Sequence, residues 1–514
     1  MTRAQILVAL LAAGCGSVTE RGDCRTSAAC PAGEYCAHTP DGNVCWPDPA
    51  PPAVASVTVT CAADACLRDE VMVVTAEATD DSEVFSVEAS VDFDPGRWFP
   101  LARGAGNAWT GSIPLAALAF PALAQPVVVT VRVRDGGRHE VTATAAPRQV
   151  TRVKWEYPSS GQLTPPAVAA DGTVVFGRSD TAGQIVAVHV DGTKAWAFTL
   201  GAGTVTSAPS IGAQAIWVSA NDGKLYAVKP DGSGELTART CTASGTSKGP
   251  PAVLTTGQTD VAFGAFSSTQ LVASAATNCA FSPIRDVFSA GASIDLDGAI
   301  VGVTAKTGVA SVRRYSFVGA AFEELWSVAV GTTVSAAPIF DASGRILTGG
   351  QDAGLDRTEI AGASAPLATL TGSVDEQPIV LSNGDIVVGD ASGRLHRLAA
   401  DGTPVWEVNL GAAVHAPMAL TDGPVRFLVA TADGKLHALD DAGAALWEGA
   451  LTAGPALGPG NIYTPPNASF SIAYFGGADG KLYAVLVEGR LDTAAPWPKA
   501  WHDTRNTSRA GAAF

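Results

Sequence analysis

No stretch of this 514-residue chain is apolar for long enough to cross a bilayer as a helix; Ile6–Ala13 falls far short of the about 20 residues a span requires. Charged side chains are scarce at 16%, yet hydrophobic ones reach 47%, which excludes a disordered chain. The nine cysteines include no CxxC spacing and no adjacent pair, and His38 alone does not complete a zinc site beside them. The seven histidines (38, 139, 189, 396, 415, 437 and 502) form neither HExxH nor HxH. Net charge is −16 with the basic residues scattered, a field that repels phosphate backbones, so no nucleic-acid partner is expected. What the chain does have is Gly (55), Pro (32) and abundant Ala, Val and Thr. That mix suits many short strands joined by tight turns, and the length calls for two or three domains.

Residues 1–14 read as an export signal: Thr2-Arg3, then the apolar run, then small residues. The run ends in Leu11-Ala12-Ala13-Gly14-Cys15, which resembles the lipobox of bacterial lipoproteins, with Leu one place further from the Cys than usual. The resemblance implies lipidation of Cys15 and, with Gly16 following, an outer-membrane destination. Removing Cys15 leaves eight cysteines, an even set suited to an oxidising compartment. Cys24, Cys30, Cys36 and Cys45 are expected to form two bridges in any of three connectivities. Cys61 and Cys66 can close a small loop, and Cys241 and Cys279 lie 38 residues apart.

Residues 15–46 therefore form a Cys-rich module that depends on its bridges for order. Residues 47–53 are a stiff Pro-rich linker expected to hold the next domain away. Over 54–150 the pattern has period two: Phe85, Val87, Ala89, Val91 and Phe93 alternate with polar residues, as do Val127, Val129, Val131 and Val133 with their neighbours. Strict alternation gives each strand one buried face, and about 100 such residues suggest a β-sandwich. Ala78-Thr79-Asp80-Asp81-Ser82 resembles bacterial immunoglobulin-like modules. Asp80 and Asp81 are read as a solvated turn in preference to a Ca²⁺ site, and no metal is expected.

From 151 to 490 the chain repeats itself. Asp222-Gly223-Lys224-Leu225-Tyr226 recurs as Asp433-Gly434-Lys435-Leu436-His437 and Asp479-Gly480-Lys481-Leu482-Tyr483, each a Gly turn leading into an alternating strand. Bulky anchors follow at Trp155, Trp196, Leu236, Phe281, Trp326, Leu367, Trp406 and Trp447, spaced by 39 to 45 residues. A small-Pro-apolar step recurs at Pro166, Pro209, Pro251, Ala292, Pro338, Pro378, Pro417 and Pro455. Both marks count eight units of four-stranded blade length, the third to fifth being blurred. The expected fold is all-β: an eight-bladed β-propeller preceded by an Ig-like β-sandwich and the Cys-rich module.

These units resemble the pyrroloquinoline-quinone (PQQ)-like propeller repeats, as in Ala438-Leu439-Asp440-Asp441-Ala442-Gly443-Ala444-Ala445-Leu446-Trp447. The resemblance implies that the Gly allows the turn and the Trp packs between neighbouring blades. On that fold, Cys241 and Cys279 take similar places on adjacent blades and are expected to staple them. The tail, 491–514, includes Pro496-Trp497-Pro498-Lys499-Ala500-Trp501-His502-Asp503 and is expected to pack across a blade seam or near ring closure.

Catalytic residues are not legible. Gly245-Thr246-Ser247-Lys248-Gly249 matches GxSxG but stands where other units begin a strand, and His502-Asp503 is an adjacent pair in an exposed-looking tail. Quinoprotein dehydrogenases share the repeat, but the best-known alcohol dehydrogenases among them carry a vicinal Cys-Cys that this chain lacks. The reading is a non-enzymatic, cofactor-free outer-membrane lipoprotein that binds a protein partner, with a glycan as the other ligand class. The alternatives are a subunit like the lipid-anchored propeller of the outer-membrane β-barrel assembly machinery, and a quinoprotein-like enzyme.

Overall fold

The computed structural model describes residues 24–512 except 180–182, 268–269, 276–277, 283–286, 307, 332 and 453–457. The export signal, Cys15 and Pro455 lie outside the described residues. Two compact units divide the chain: 1–120 with 125–150, and 121–124 with 151–514.

In the first unit the Cys-rich module is a hairpin, Glu34–Thr39 against Gly42–Pro47, with Cys36 opposite Cys45. Cys24 bonds Cys36 and Cys30 bonds Cys45, so the four half-cystines pack together as the core that so short a segment cannot otherwise build. Cys61 bonds Cys66. The expected linker does not hold the module away. Asp48 is buried; its N–H donates to the Gly33 carbonyl, and Gly33 in turn donates to Gly137 of a sheet turn. A module without an apolar core gains burial by docking on those turns.

Seven antiparallel strands follow, in the order Glu140–Thr144, Val129–Asp135, Val84–Val91, Asp94–Arg103, Ala108–Pro114, Val71–Thr79, Ala53–Thr60. Asp94–Arg103 pairs with Val84–Val91 along most of its length and with Ala108–Pro114 at its end, which joins what a sandwich would split into two sheets. Val87, Ala89, Val91, Val129, Val131 and Val133 are buried as alternation requires. Phe85 is not: it is 50% exposed, beside Arg134 and Arg138 at the sheet margin.

Sheets of four or more strands number nine among the described residues; one is this sheet, and the other eight, of four or five strands, belong to the second unit. The small-Pro-apolar step stands directly before the innermost strand of each blade: Pro166 before Ala167–Val168, Pro209 before Ser210–Ile211, Pro251 before Ala252–Thr256. Gly460, not Pro455, holds this place before Asn461–Tyr463. The Trp anchors lie on the outermost strands. Trp155 belongs to the last sheet rather than the first, because Val153–Pro158 pairs with Lys481–Val487 and closes the ring. The described residues contain no helix long and apolar enough to cross a membrane.

Trp155, Trp196, Trp326 and Trp406 each reach the Gly turn of the following blade. A side-chain carbon at Gly192 would lie 2.9 Å from Trp155, and one at Gly362 would lie 3.1 Å from Trp326; both glycines have φ near +90°. The indole N–H of Trp155 donates to Val190 and that of Trp326 to Ile360, both at 2.9 Å. Glycine therefore does two jobs here: it accepts the left-handed turn and leaves room for an aromatic face.

Cys241–Cys279 joins the outermost strands of adjacent blades. Its sequence separation of 38 residues makes the bridge worth about 3–4 kcal/mol in a chain-entropy account. Replacing both residues by Ser is expected to lower the propeller's urea midpoint accordingly. An unchanged midpoint would show that the blades are held together without the staple.

Candidate functional site

The centre of the propeller ring is where the chain's own C-terminal tail lies. Val168 donates a backbone hydrogen bond to Thr504, Ile211 to Arg505, Val253 to Thr507, Ile294 to Ser508, Val380 to Trp497 and Ala419 to Pro498. The fifth blade meets the tail through Phe340, whose ring centroid is 5.8 Å from that of Trp497, and the eighth through Asn461, which donates to Thr504 at 2.8 Å. One segment thus touches the innermost strand of every blade. It does not pack in a seam, and His502 and Asp503 are buried, not exposed. The short inner strands leave edge N–H groups that the tail's carbonyls satisfy.

Three polar side chains knot the tail. Lys499 is fully buried; its Nζ donates to Ala500 O at 2.6 Å, Asp503 O at 3.0 Å and Asn506 Oδ1 at 2.9 Å. Asn506 Nδ2 donates to the carbonyls of Pro166 and Pro209, which ties the knot to the Pro steps of two blades. Asp503 accepts from the N–H groups of Arg505 and Thr507 and from the Thr507 hydroxyl. Trp501, His502, Asn506 and Ser508 all have positive φ, so the turn is wound in a conformation that L-residues disfavour and the surrounding contacts must hold. Burial pulls the Lys499 ammonium down to about 7, against the opposing pull of Asp503.

A cavity of about 420 Å³ adjoins the tail, lined by Leu296, Asp341, Thr493, Pro496, His502 and Gly511 among others. The other repeat histidines serve the blades. His437 sits on Lys435–Leu439, 3.2 Å from Thr431 Oγ1, at the place where Tyr483 donates to Asp479. His396 Nε2 lies 3.0 Å from Asp390 Oδ2. Ser247 of the GxSxG match donates to the Gly249 carbonyl and bridges Phe266, so its hydroxyl serves the turn. Sequence reasoning reached the tail but missed its anchors Lys499, Asn506, Asn461 and Gln377, whose Oε1 accepts from Trp501 N at 2.7 Å. The available signal was three polar residues, Lys499, Asp503 and Asn506, closely spaced around Trp501.

The family model described as "Outer membrane protein assembly factor BamB" matches residues 320–512, which include this tail. Residues 320–512 therefore resemble the PQQ-like repeat. Three solved structures align with the propeller, two of them at TM-scores above 0.5. Sqt1 of Saccharomyces cerevisiae aligns at TM-score 0.54 and 11% identity over 66% of this chain and 99% of its own. The computationally designed protein Ika8 aligns at 0.53 and 15%, over 65% and 100%. BamB of Moraxella catarrhalis aligns at 0.49 and 15%, over 65% and 99%. Identities this low speak for the fold alone. No curated protein matches the chain.

Proposed function

We propose that this chain is a non-catalytic cell-envelope lipoprotein, anchored in the outer membrane through Cys15, whose PQQ-like propeller binds a protein partner with its rim. The observation that carries this reading is the filled ring centre. Small ligands favour enclosed concave sites, and the tail occupies the most enclosed position of the ring. What remains is a rigid set of loops, the part of a propeller suited to macromolecular recognition. The fourth blade adds to it. Val309–Val318 and Ala321–Val330 form a hairpin of ten-residue strands, against six-residue outer strands such as Lys194–Thr199. At its tip Val318 is 76% exposed, the greatest value among the exposed large hydrophobic side chains. The family match favours an assembly-factor-like subunit as the more specific version of this role.

The test is co-purification from detergent-solubilised envelopes. A defined protein partner is expected with the wild-type chain and is expected to be depleted with Val318→Asp, while Cys15→Ala releases the chain into the soluble fraction. Recovery of barrel-assembly components would establish the assembly version. Membrane retention of Cys15→Ala would overturn the anchor.

A further inference from the structure

The junction of three loops in the first unit holds carboxylates that no cationic side chain pairs with among the described residues. Asp48 is 3% exposed. Its Oδ2 accepts from Gly137 N at 3.0 Å and Ser82 Oγ at 2.6 Å, whereas its Oδ1 is buried with no hydrogen-bond partner. Asp80 Oδ1 accepts from the backbone N–H groups of Ser82 and Glu83 at 2.9 and 3.0 Å, whereas its Oδ2 is also buried and unpartnered. One ligand oxygen each of Asp48, Asp80 and the exposed Asp81 lies within 4.8 Å of the other two. Among the described residues none of the three carboxylates makes an ion pair with Lys, Arg or His. The turn is therefore not simply solvated, as its sequence implied. A buried carboxylate facing a second one without a cation is strongly disfavoured, because each is desolvated and each repels the other.

We infer that Asp48, Asp80 and Asp81 form a Ca²⁺ site that fastens the Cys-rich module to the seven-stranded sheet. The spacing fits: oxygens bound at about 2.3–2.6 Å on opposite sides of one Ca²⁺ stand about 5 Å apart. The donors are all oxygen, which suits a hard cation. Asp135 and His139 lie beside Asp48 but satisfy each other, with His139 N and Nδ1 at 2.7 and 2.8 Å from the Asp135 carboxylate oxygens. They shape the neighbouring turn. Gly137 lets that turn approach, since a side-chain carbon there would lie 2.7 Å from Asp48 Cβ. The inference is independent of what the propeller binds.

Isothermal titration of CaCl₂ into the detergent-solubilised, EDTA-treated full chain tests it, with thermal unfolding as a second readout. The expected result is saturable binding of one ion with Kd no weaker than about 10⁻³ M, the extracellular range. Ca²⁺ is also expected to raise the midpoint of the first unit's transition. Asp81 is exposed, so Asp81→Asn is expected to keep the fold while weakening Ca²⁺ binding by about tenfold or more. Asp92→Asn, on another exposed position of the same unit, should bind as wild type does. Absence of heat and of a midpoint shift in the wild-type chain overturns the site. So does an Asp81→Asn chain that binds normally, or binding of Zn²⁺ in place of Ca²⁺, which would move the ion to Asp135 and His139.

Discussion

A Lys499→Ala chain is expected to lose about 3–5 kcal/mol of propeller stability, the cost of breaking a buried charged network. The substitution leaves the buried Ala500 carbonyl without its donor and takes one of two donors from the Asp503 carbonyl and from Asn506 Oδ1. It also opens a cavity where the tail crosses the inner strands. A pH dependence accompanies the loss. Burial, against the pull of Asp503, holds the folded-state pKa at about 7, and the unfolded lysine titrates near 10.5. Between those values the unfolded chain binds more protons than the folded one, so stability rises as pH rises through the window and is lowest below it. Urea midpoints at pH 7 and about pH 9 should therefore differ more for the wild-type chain than for Lys499→Ala. Equal slopes, or a loss within the about 0.5 kcal/mol of an ordinary surface change, would show that the knot does not hold the ring centre.

The second large effect is expected at ring closure. Arg152, 1% exposed, donates to Glu488 at 2.7 Å and to the Ala122 carbonyl at 3.0 Å, and its guanidinium lies 4.5 Å from the Trp447 ring centroid. It stands directly before Val153–Pro158, the strand that completes the last blade. Arg152→Ala removes the part-buried ion pair with Glu488 and the cation–π contact, for an expected loss of about 3–5 kcal/mol. Protease cleavage in 153–158 is expected to accelerate, because the closing strand frays first. Arg152→Lys should restore only part of the loss, since an ammonium cannot make the planar forked contact. Full rescue by Lys would reduce the residue's role to charge alone.

Much of the propeller was legible because each mark has a local physical cause. The Pro step recurs since innermost strands begin there, and the turns at Gly192, Gly232, Gly362 and Gly443 recur since a left-handed glycine must face the previous blade's Trp. The blurred stretch has a cause too. In the fourth blade the Asp-Gly turn is replaced by the Gly319-Ala320 hairpin, and Phe263, Tyr315, Phe317 and Phe322 pack together beside that turn. What remained hidden was non-local. Nothing adjacent to Lys499 announces that eight inner strands surround it. Asp48 is separated from Asp80 and Asp81 by more than thirty residues of linker and strand, and their meeting depends on a module expected to stand apart. The disulfide partners of 24–45 likewise follow from a hairpin register and not from spacing.

The central claim is that the propeller's rim, not its filled centre, does the binding. In-cell photocrosslinking from position 318, with the anchored full-length chain, tests it most directly. A discrete adduct with one envelope protein, outcompeted when unlabelled chain is overexpressed, is the predicted result. The contradicting result is no protein adduct from position 318 or other rim positions, together with saturable stabilisation of the purified chain by pyrroloquinoline quinone at constant Ca²⁺.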